Sequence, residues 1–253
     1  MKTVFRCLKK AVFYLPVVVY DVLNRLRPIK SDSQRWLDNY STSLNRPLTF
    51  IQVGANDGLR QDPFRRFIIR DDWTGILVEP VAPVFELLKK NYKKKKRLYF
   101  ENCIILDTKD NQADFFVYSD SFLRGANLEK KLLYWRKSSL SRNHLLQRLK
   151  HDHLDVKEEY ICRLTIPTLK ISDLMKKYSH LGDVDLLIVD AEGYDDFVIK
   201  TVDFSCGKPK AIFFESSIIP SQRLSDLKEL LYAEGYDLNT FGMDTVAVLS
   251  RLE

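Results

Sequence analysis

The chain has 253 residues, 45% hydrophobic and 29% charged, a composition that excludes a disordered or membrane-embedded protein and fits one large α/β domain with appendages. The 40 Lys and Arg against 34 Asp and Glu leave a formal net charge of +6, which favours acidic partners without naming one. Cys7, Cys103, Cys162 and Cys206 stand far apart with no Cys-x-x-Cys pair, so neither a zinc site nor a disulfide framework is indicated, and a reducing, cytoplasmic setting is expected.

Residues 11–23, AVFYLPVVVYDVL, are apolar and follow Lys2, Arg6, Lys9 and Lys10. Pro16 and Asp21 interrupt the run, it falls short of the roughly 20 residues of a membrane span, and no small-x-small cleavage signal follows. Residues 1–46 are therefore expected to form a helical extension, packed on the domain or lying in a membrane interface through residues 1–30.

From residue 48 short β-rich runs alternate with helical patterns, the signature of a doubly wound, mostly parallel sheet. Strands are predicted at 48–53, 74–80, 97–105, 113–119, 160–167, 184–191, 210–216 and 245–251. Several are continuous apolar runs, as expected of strands covered by helices on both faces. Between them apolar residues fall three and four apart. Val84, Leu87, Leu88 and Tyr92 make one stripe, and Leu169, Leu174, Met175 and Tyr178 another. Leu224, Leu227, Leu230 and Leu231 make a third, in a helix ending at Gly235, a residue suited to the left-handed cap. The lysine run at 93–96 reads as a solvated helix end. Segment 122–158 breaks the alternation with a basic excess, three of the four histidines and a helical pattern around Leu132, Trp135, Leu140 and Leu145. It is read as an inserted lid.

A doubly wound sheet binds its ligand beyond the carboxyl ends of its central strands. The residues there are polar: Gly54-Ala55-Asn56-Asp57-Gly58, Glu79-Pro80, Asn102, Asp190-Ala191-Glu192-Gly193 and Glu215-Ser216-Ser217. The first loop lacks the GxGxxG of a pyrophosphate site, and no Walker GKS or GKT occurs. A nucleoside without pyrophosphate fits better, its ribose diol donating to Glu79. S-adenosylmethionine meets that description, and its positive sulfonium and ammonium suit a rim of Asp57, Glu79 and Asp190.

Other clusters have plainer readings. Asp195 and Asp196 are expected to complement a helix N-terminus rather than to join Asp190, Glu192 and Glu215 around a metal, and no metal is expected. His144, His151 and His153 read as a solvated face, a base carried on the lid being the alternative. Tyr134 and Trp135 read as helix packing.

Taken in order, FIQVGANDG (50–58), GILVEPVAPVFELLKKNY (75–92), FENCII (100–105), TIPTLKISDL (165–174), VDLLIVDAEGYDDFVIK (184–200) and KAIFFES (210–216) resemble the FkbM-type methyltransferases, a branch of the S-adenosylmethionine-dependent class I fold. The likeness runs from about 48 to 250. It implies a three-layer, Rossmann-like α/β domain over 47–253, with a mostly parallel seven-stranded sheet and helices on both faces. It also implies that Gly54, Ala55, Asn56, Asp57 and Gly58 form the cofactor loop, that Glu79 with Pro80 meets the ribose, and that Asn102 with Cys103 borders the adenine. Asp190, Glu192 and Gly193 match the family's Asp-x-Glu-Gly signature on the methionine and acceptor side.

The implied activity is O-methylation of a hydroxyl on a sugar, glycan or secondary metabolite. Asp190, Glu192 and Glu215 are the candidate bases, the first two favoured. The insert is longer and more basic than the usual family loop and residues 1–46 lie outside the likeness, so the acceptor does not carry over. Two rivals stand beside this. One is a non-catalytic scaffold on a membrane or anionic polymer. The other is a nucleic-acid methyltransferase, disfavoured because no NPPY or DPPY tetrapeptide occurs. The expected partners are thus a small-molecule or glycan hydroxyl acceptor and no nucleic acid, with peripheral membrane contact and a homo-oligomer left open.

Overall fold

A computed structural model describes residues 16–250 apart from 27, 30 and 61; the basic and apolar residues at 1–15 lie outside the described residues. The chain enters through α1 (Val17–Leu26) and α2 (Asp32–Ser43), the latter capped by Ser31, whose hydroxyl accepts from Gln34 N. Then come β1 (Thr49–Val53), α3 (Arg65–Arg70), β2 (Thr74–Val78), α4 (Ala82–Asn91), β3 (Leu98–Glu101) and β4 (Ile104–Ile105). They are followed by β5 (Gln112–Tyr118), α5 (Leu128–Trp135), α6 (Arg142–His151), β6 (Ile161–Leu169) and α7 (Ile171–Lys177). The last third holds β7 (Leu186–Val189), α8 (Asp195–Ile199), β8 (Ala211–Glu215), α9 (Ser221–Ala233), β9 (Tyr236–Phe241) and β10 (Asp244–Leu249).

Seven strands form one sheet in the order β3-β2-β1-β7-β8-β10-β9. Pairing is parallel from β3 to β8 and antiparallel at β8/β10 and β10/β9. Core strands β1, β2, β7 and β8 are apolar almost throughout, and each sheet face carries its own buried cluster. One gathers Ile51, Ile76, Leu187 and Ile212 with Leu174, Leu227 and Leu231. The other gathers Phe50, Leu77, Leu186 and Phe213 with Leu37, Phe67 and Trp73. Helix α9 ends as the sequence predicts, with Gly235 at φ +88°.

Three predicted strands behave differently. The run 97–105 breaks at 102–103, so β3 ends the main sheet while β4 joins a second one. The segments predicted at 113–119 and 160–167 leave the parallel alternation altogether. As β5 and β6 they form an antiparallel pair, with β4 beside β6 in a three-stranded sheet. Their composition explains it: QADFFVY and ICRLTIPTL carry exposed polar residues among the buried ones, the mark of a sheet with one wet face. Strand β9, YDLNTF, escapes the sequence because it is a polar edge strand; it lies between Gly235 and Gly242, both at positive φ.

The insert is the connection between β5 and β6, and its two helices are fastened back onto that hairpin. Ser139 pairs with Phe116 through two backbone hydrogen bonds of 2.8 and 3.0 Å. Tyr118 donates its hydroxyl to Leu145 O at 3.1 Å. Leu132, Phe115, Ile104 and Val84 share one buried cluster, which seats the insert against the carboxyl ends of the main sheet. Among the described residues no helix is long and apolar enough to cross a membrane.

Candidate active site

The parallel register pairs Val53 with Val78 on one side and with Val189 on the other, and Val189 with Phe214. One residue further on, Glu79, Gly54, Asp190 and Glu215 therefore form a row across the carboxyl ends, each about 4.8 Å from the next strand. The chain fills β1, β2 and β3 outward and then crosses to β7, so the order reverses between β1 and β7, where an open α/β sheet leaves a crevice.

The β1 loop is shaped by contacts that admit few side chains. Gly54 has φ +79°, and a Cβ there would lie 2.0 Å from the Asp190 carbonyl oxygen, so only glycine lets the ends of β1 and β7 approach. The Gly54 and Ala55 amides both donate to Val78 O, at 3.1 and 3.0 Å. Asn56 takes φ +49°, a conformation asparagine tolerates, and its amide side chain donates to Gly54 O at 3.1 Å. Glu79 receives the Asn56 N–H at 3.0 Å on one oxygen and the Val81 N–H at 2.8 Å on the other. Its side chain is almost wholly buried, which pushes its carboxyl up to about 7 against the pull of those two amides.

Behind the loop, Asp57 accepts from the Leu59 and Arg60 amides and pairs with the Arg60 guanidinium at 2.6 Å. Buried Arg65 donates to Gly58 O at 2.7 Å and pairs with Asp21 of α1 at 2.6 Å. Asp21, which interrupts the apolar run in the sequence, thus answers a buried cation. Asn102 donates to the carbonyls of Glu79 and Pro80 at 2.8 and 3.0 Å, tying the ends of β2 and β3.

The acids beyond β7 and β8 form a graded set. Asp190 opens to solvent at the mouth of the cleft while protein crowds it elsewhere; that crowding, with the charges of Glu192 and Glu215, raises its carboxyl to about 7. Glu192, at φ +49°, is raised by burial too, with the Arg148 and Arg136 charges of the insert opposing the shift. Fully buried Asp195 accepts from Ala191 N at 3.3 Å and Glu215 N at 3.2 Å. Asp196 pairs with Arg223 of α9, the Nε contact being 3.0 Å. Among the described residues no group of three or more His, Cys, Asp or Glu is placed to hold a metal ion.

A cleft follows this row. Gly54, Asn56, Glu79, Pro80, Asp190 and Glu192 line it, with Cys103 on its apolar side. Ala55, Asp57, Gly58 and Asn102 stand behind it, and Glu215 faces a neighbouring cavity instead. Its far wall, which the sequence anticipates only as a lid at 122–158 without naming its residues, comes from Phe115 and the insert residues Trp135, Arg136, Ser138, Ser139 and Leu140. His144, His151 and His153 stay out of it. Trp135 packs with the insert's clusters and lines the cleft as well.

The residues fit S-adenosylmethionine. Val81, Ile104 and Phe115 offer an apolar slot for a flat base, and Asp190 and Glu192 offer negative charge for a sulfonium and an ammonium. Ser138, buried in the wall, leaves its hydroxyl without a hydrogen-bond partner, a vacancy that a polar ligand atom would fill. About 70 Å3 of the cleft is open, with the insert as its outer wall.

No curated protein sequence matches the chain. Among solved structures, a methyltransferase FkbM from Methylobacillus flagellatus KT aligns at 13% identity and TM-score 0.48 over 83% of this chain and 47% of its own, so the chain spans about half of that relative's length. A putative O-methyltransferase from Klebsiella pneumoniae aligns at 11% identity and TM-score 0.45, over 98% of this chain and 96% of its own. The SAH-bound Podospora anserina methyltransferase PaMTH1 aligns at 12% identity and TM-score 0.44, over the same two shares, 98% and 96%. The model of the methyltransferase FkbM domain matches residues 52–242, from the end of β1 through the β9–β10 turn. The chain therefore belongs to the FkbM methyltransferase family, whose cofactor is S-adenosylmethionine.

Proposed function

We propose that the protein transfers the methyl group of S-adenosylmethionine to a hydroxyl oxygen of a sugar, glycan or secondary metabolite. One observation carries this: Asp190, a carboxyl raised to about 7, stands at the end of the cofactor cleft and opens toward solvent, where an acceptor would arrive. Bound S-adenosylmethionine supplies an electrophilic methyl on a sulfonium. The chain's own task is to orient the two reactants, to hold a proton and to exclude water. Glu79 fixes the Asn56 turn on which the donor rests and keeps unused lone pairs toward the cleft. Asp190 receives the acceptor proton, with Glu192 beside it as the alternative base. The insert covers the site and brings Arg136 close to both acids, balancing their charge. The test is incubation with methyl-labelled S-adenosylmethionine and a panel of hydroxylated acceptors. Formation of a labelled methyl ether supports the proposal, whereas neither transfer nor binding of S-adenosylhomocysteine would sink it. Binding without transfer to any acceptor would favour the non-catalytic rival.

Peripheral membrane contact belongs to the same proposal. Helix α1 exposes Val18, Val19, Val22, Leu23 and Leu26 along one apolar face, with Arg25 at its end, a pattern suited to a membrane interface.

A further inference from the structure

A second cavity, of about 320 Å3, opens beside the cofactor cleft and shares one wall residue with it, Asp190. Four parts of the chain enclose it: the first turn of α2, the loop at 63–64, the ends of β7 and β8, and the β9–β10 turn at 243–244. The Ser33 side chain lies beside Asp244, so the start of α2 abuts the hairpin turn and closes the cavity on that side. Its size lies in the range of small-molecule sites, which begin at roughly 300 Å3.

The lining has two chemical characters. Leu37, Pro63, Phe64 and Phe213 make an apolar side, the two phenyl rings meeting edge to face at 5.2 Å. Gln34, Asp190, Glu215 and Asp244 make a polar side, and no Lys, Arg or His is among the described residues that line it. These three acids, offset only in part by Arg136 near Asp190 and Arg148 near Glu215, disfavour a phosphate, sulfate or uronate. They accept well from hydroxyls, and the phenyl rings accept the C–H face of a saturated ring.

We infer that this cavity is the acceptor site and that it takes a neutral, hydroxyl-rich ring such as a hexopyranose unit, one hydroxyl of which meets Asp190 at the boundary with the cofactor cleft. This rests on the methyl-transfer proposal above. In the transfer an acceptor oxygen forms the new O–CH3 bond as the C–S bond of S-adenosylmethionine breaks. Sulfur keeps the electron pair, and Asp190 takes the hydroxyl proton and later releases it to water. Helix α2 thereby gains a role as a wall of the acceptor site.

The experiment uses the full chain and two separate readouts, calorimetry for S-adenosylhomocysteine and saturation-transfer NMR for sugars. The probes are methyl hexopyranosides, with a hexuronic acid and a hexose 6-phosphate as anionic counterparts. Gln34→Trp, at a partly exposed helix position, fills the cavity, and Asp244→Asn removes one negative charge. The expected result is unchanged S-adenosylhomocysteine binding in all three proteins and glycoside signals in the wild type. Those signals should fall about tenfold or more in Gln34→Trp, and Asp244→Asn should narrow the preference for neutral over anionic sugars. Cofactor binding with no glycoside signal in the wild type overturns the inference. So do signals untouched by both substitutions, or anionic sugars binding as well as neutral ones. Loss of S-adenosylhomocysteine binding in the wild type is a different failure, that of the methyl-transfer proposal itself.

Discussion

Asp195 joins two strand ends with one side chain: its oxygens accept from Ala191 N and Glu215 N, so the backbones carrying Asp190 and Glu215 are pinned side by side. Sequence chemistry gives Asp195 a helix-dipole role because it lies in the first turn of α8, and only tertiary placement reveals the second one. Glu79 is a comparable anchor with a sharper test. In Glu79→Gln one accepting oxygen becomes an NH2 group facing a backbone N–H, so the Asn56 turn or the Val81 amide loses its partner. A lost buried partner costs about 1–3 kcal/mol, so S-adenosylhomocysteine should bind roughly 5- to 150-fold more weakly by calorimetry. Binding within experimental error of the wild type would remove Glu79 from the site. Asp190 acts on rate. Below its pKa of about 7 it already holds a proton and cannot take another, so kcat should rise with pH through that value and then level. Asp190→Asn should lower kcat by about 10²–10⁴-fold and abolish that limb while S-adenosylhomocysteine binding persists. A variant that keeps the limb would move the base to Glu192.

The insert and α1 are the elements whose positions the sequence conceals. Strand ends of the main sheet are legible, since apolar runs stop at Gly54, Glu79, Asp190 and Glu215 and a parallel register must align them. The far wall of the cleft is not legible, because it depends on one long-range pairing, Phe116 with Ser139, that carries no local signal. The polar residues scattered through β5 and β6 mark a separate sheet with one wet face, although their place in the chain points to the parallel one. With about 70 Å3 open, the cleft is smaller than the roughly 300 Å3 or more of ordinary ligand sites, so an outward shift of 128–151 on cofactor entry is expected. Hydrogen exchange should therefore slow across α5 and α6 when S-adenosylhomocysteine binds, and equal rates in both states would refute a moving lid. Helix α1 makes a separate prediction. Val22→Asp with Leu26→Asp should abolish co-sedimentation with anionic phospholipid vesicles and leave methyl transfer to a soluble acceptor intact, because both side chains point to solvent. Equal sedimentation of variant and wild type would show that α1 is not the contact.

At the scale of the molecule, the two ends of the sheet carry opposite electrostatics. At the amino end, buried Asp185 binds Arg46 at 2.6 Å, Lys210 at 2.9 Å and the Thr49 amide at 2.9 Å, so the chain leading out of α2 is clamped to β1 and β8. Those partners hold the Asp185 carboxyl below its ordinary value, and its stabilising effect is present above about pH 4 and fades only in stronger acid. At the carboxyl end the acids are raised: Asp62 to about 6, Glu79 and Asp190 to about 7 and Asp195 to about 8, burial being the main cause in each. A raised carboxyl holds its proton more tightly folded than unfolded, so its contribution is full below about pH 4 and is lost as the pH climbs through the folded value. The free protein should consequently be more stable near pH 5.5 than near pH 8 in urea titrations, even with solvent-open Asp190 left out. A flat or rising profile over that interval would contradict the arrangement of buried acids. The cofactor reverses the sense of the same titration. S-adenosylmethionine differs from S-adenosylhomocysteine by the methyl and its positive charge, so each acid that ionises in the cleft improves the first ligand more than the second. The ratio of their affinities should rise between about pH 6 and pH 8, following Asp190 and Glu79. In Asp190→Asn the rise should shrink. If the ratio stays constant with pH in the wild type, the sulfonium does not sit among these carboxylates.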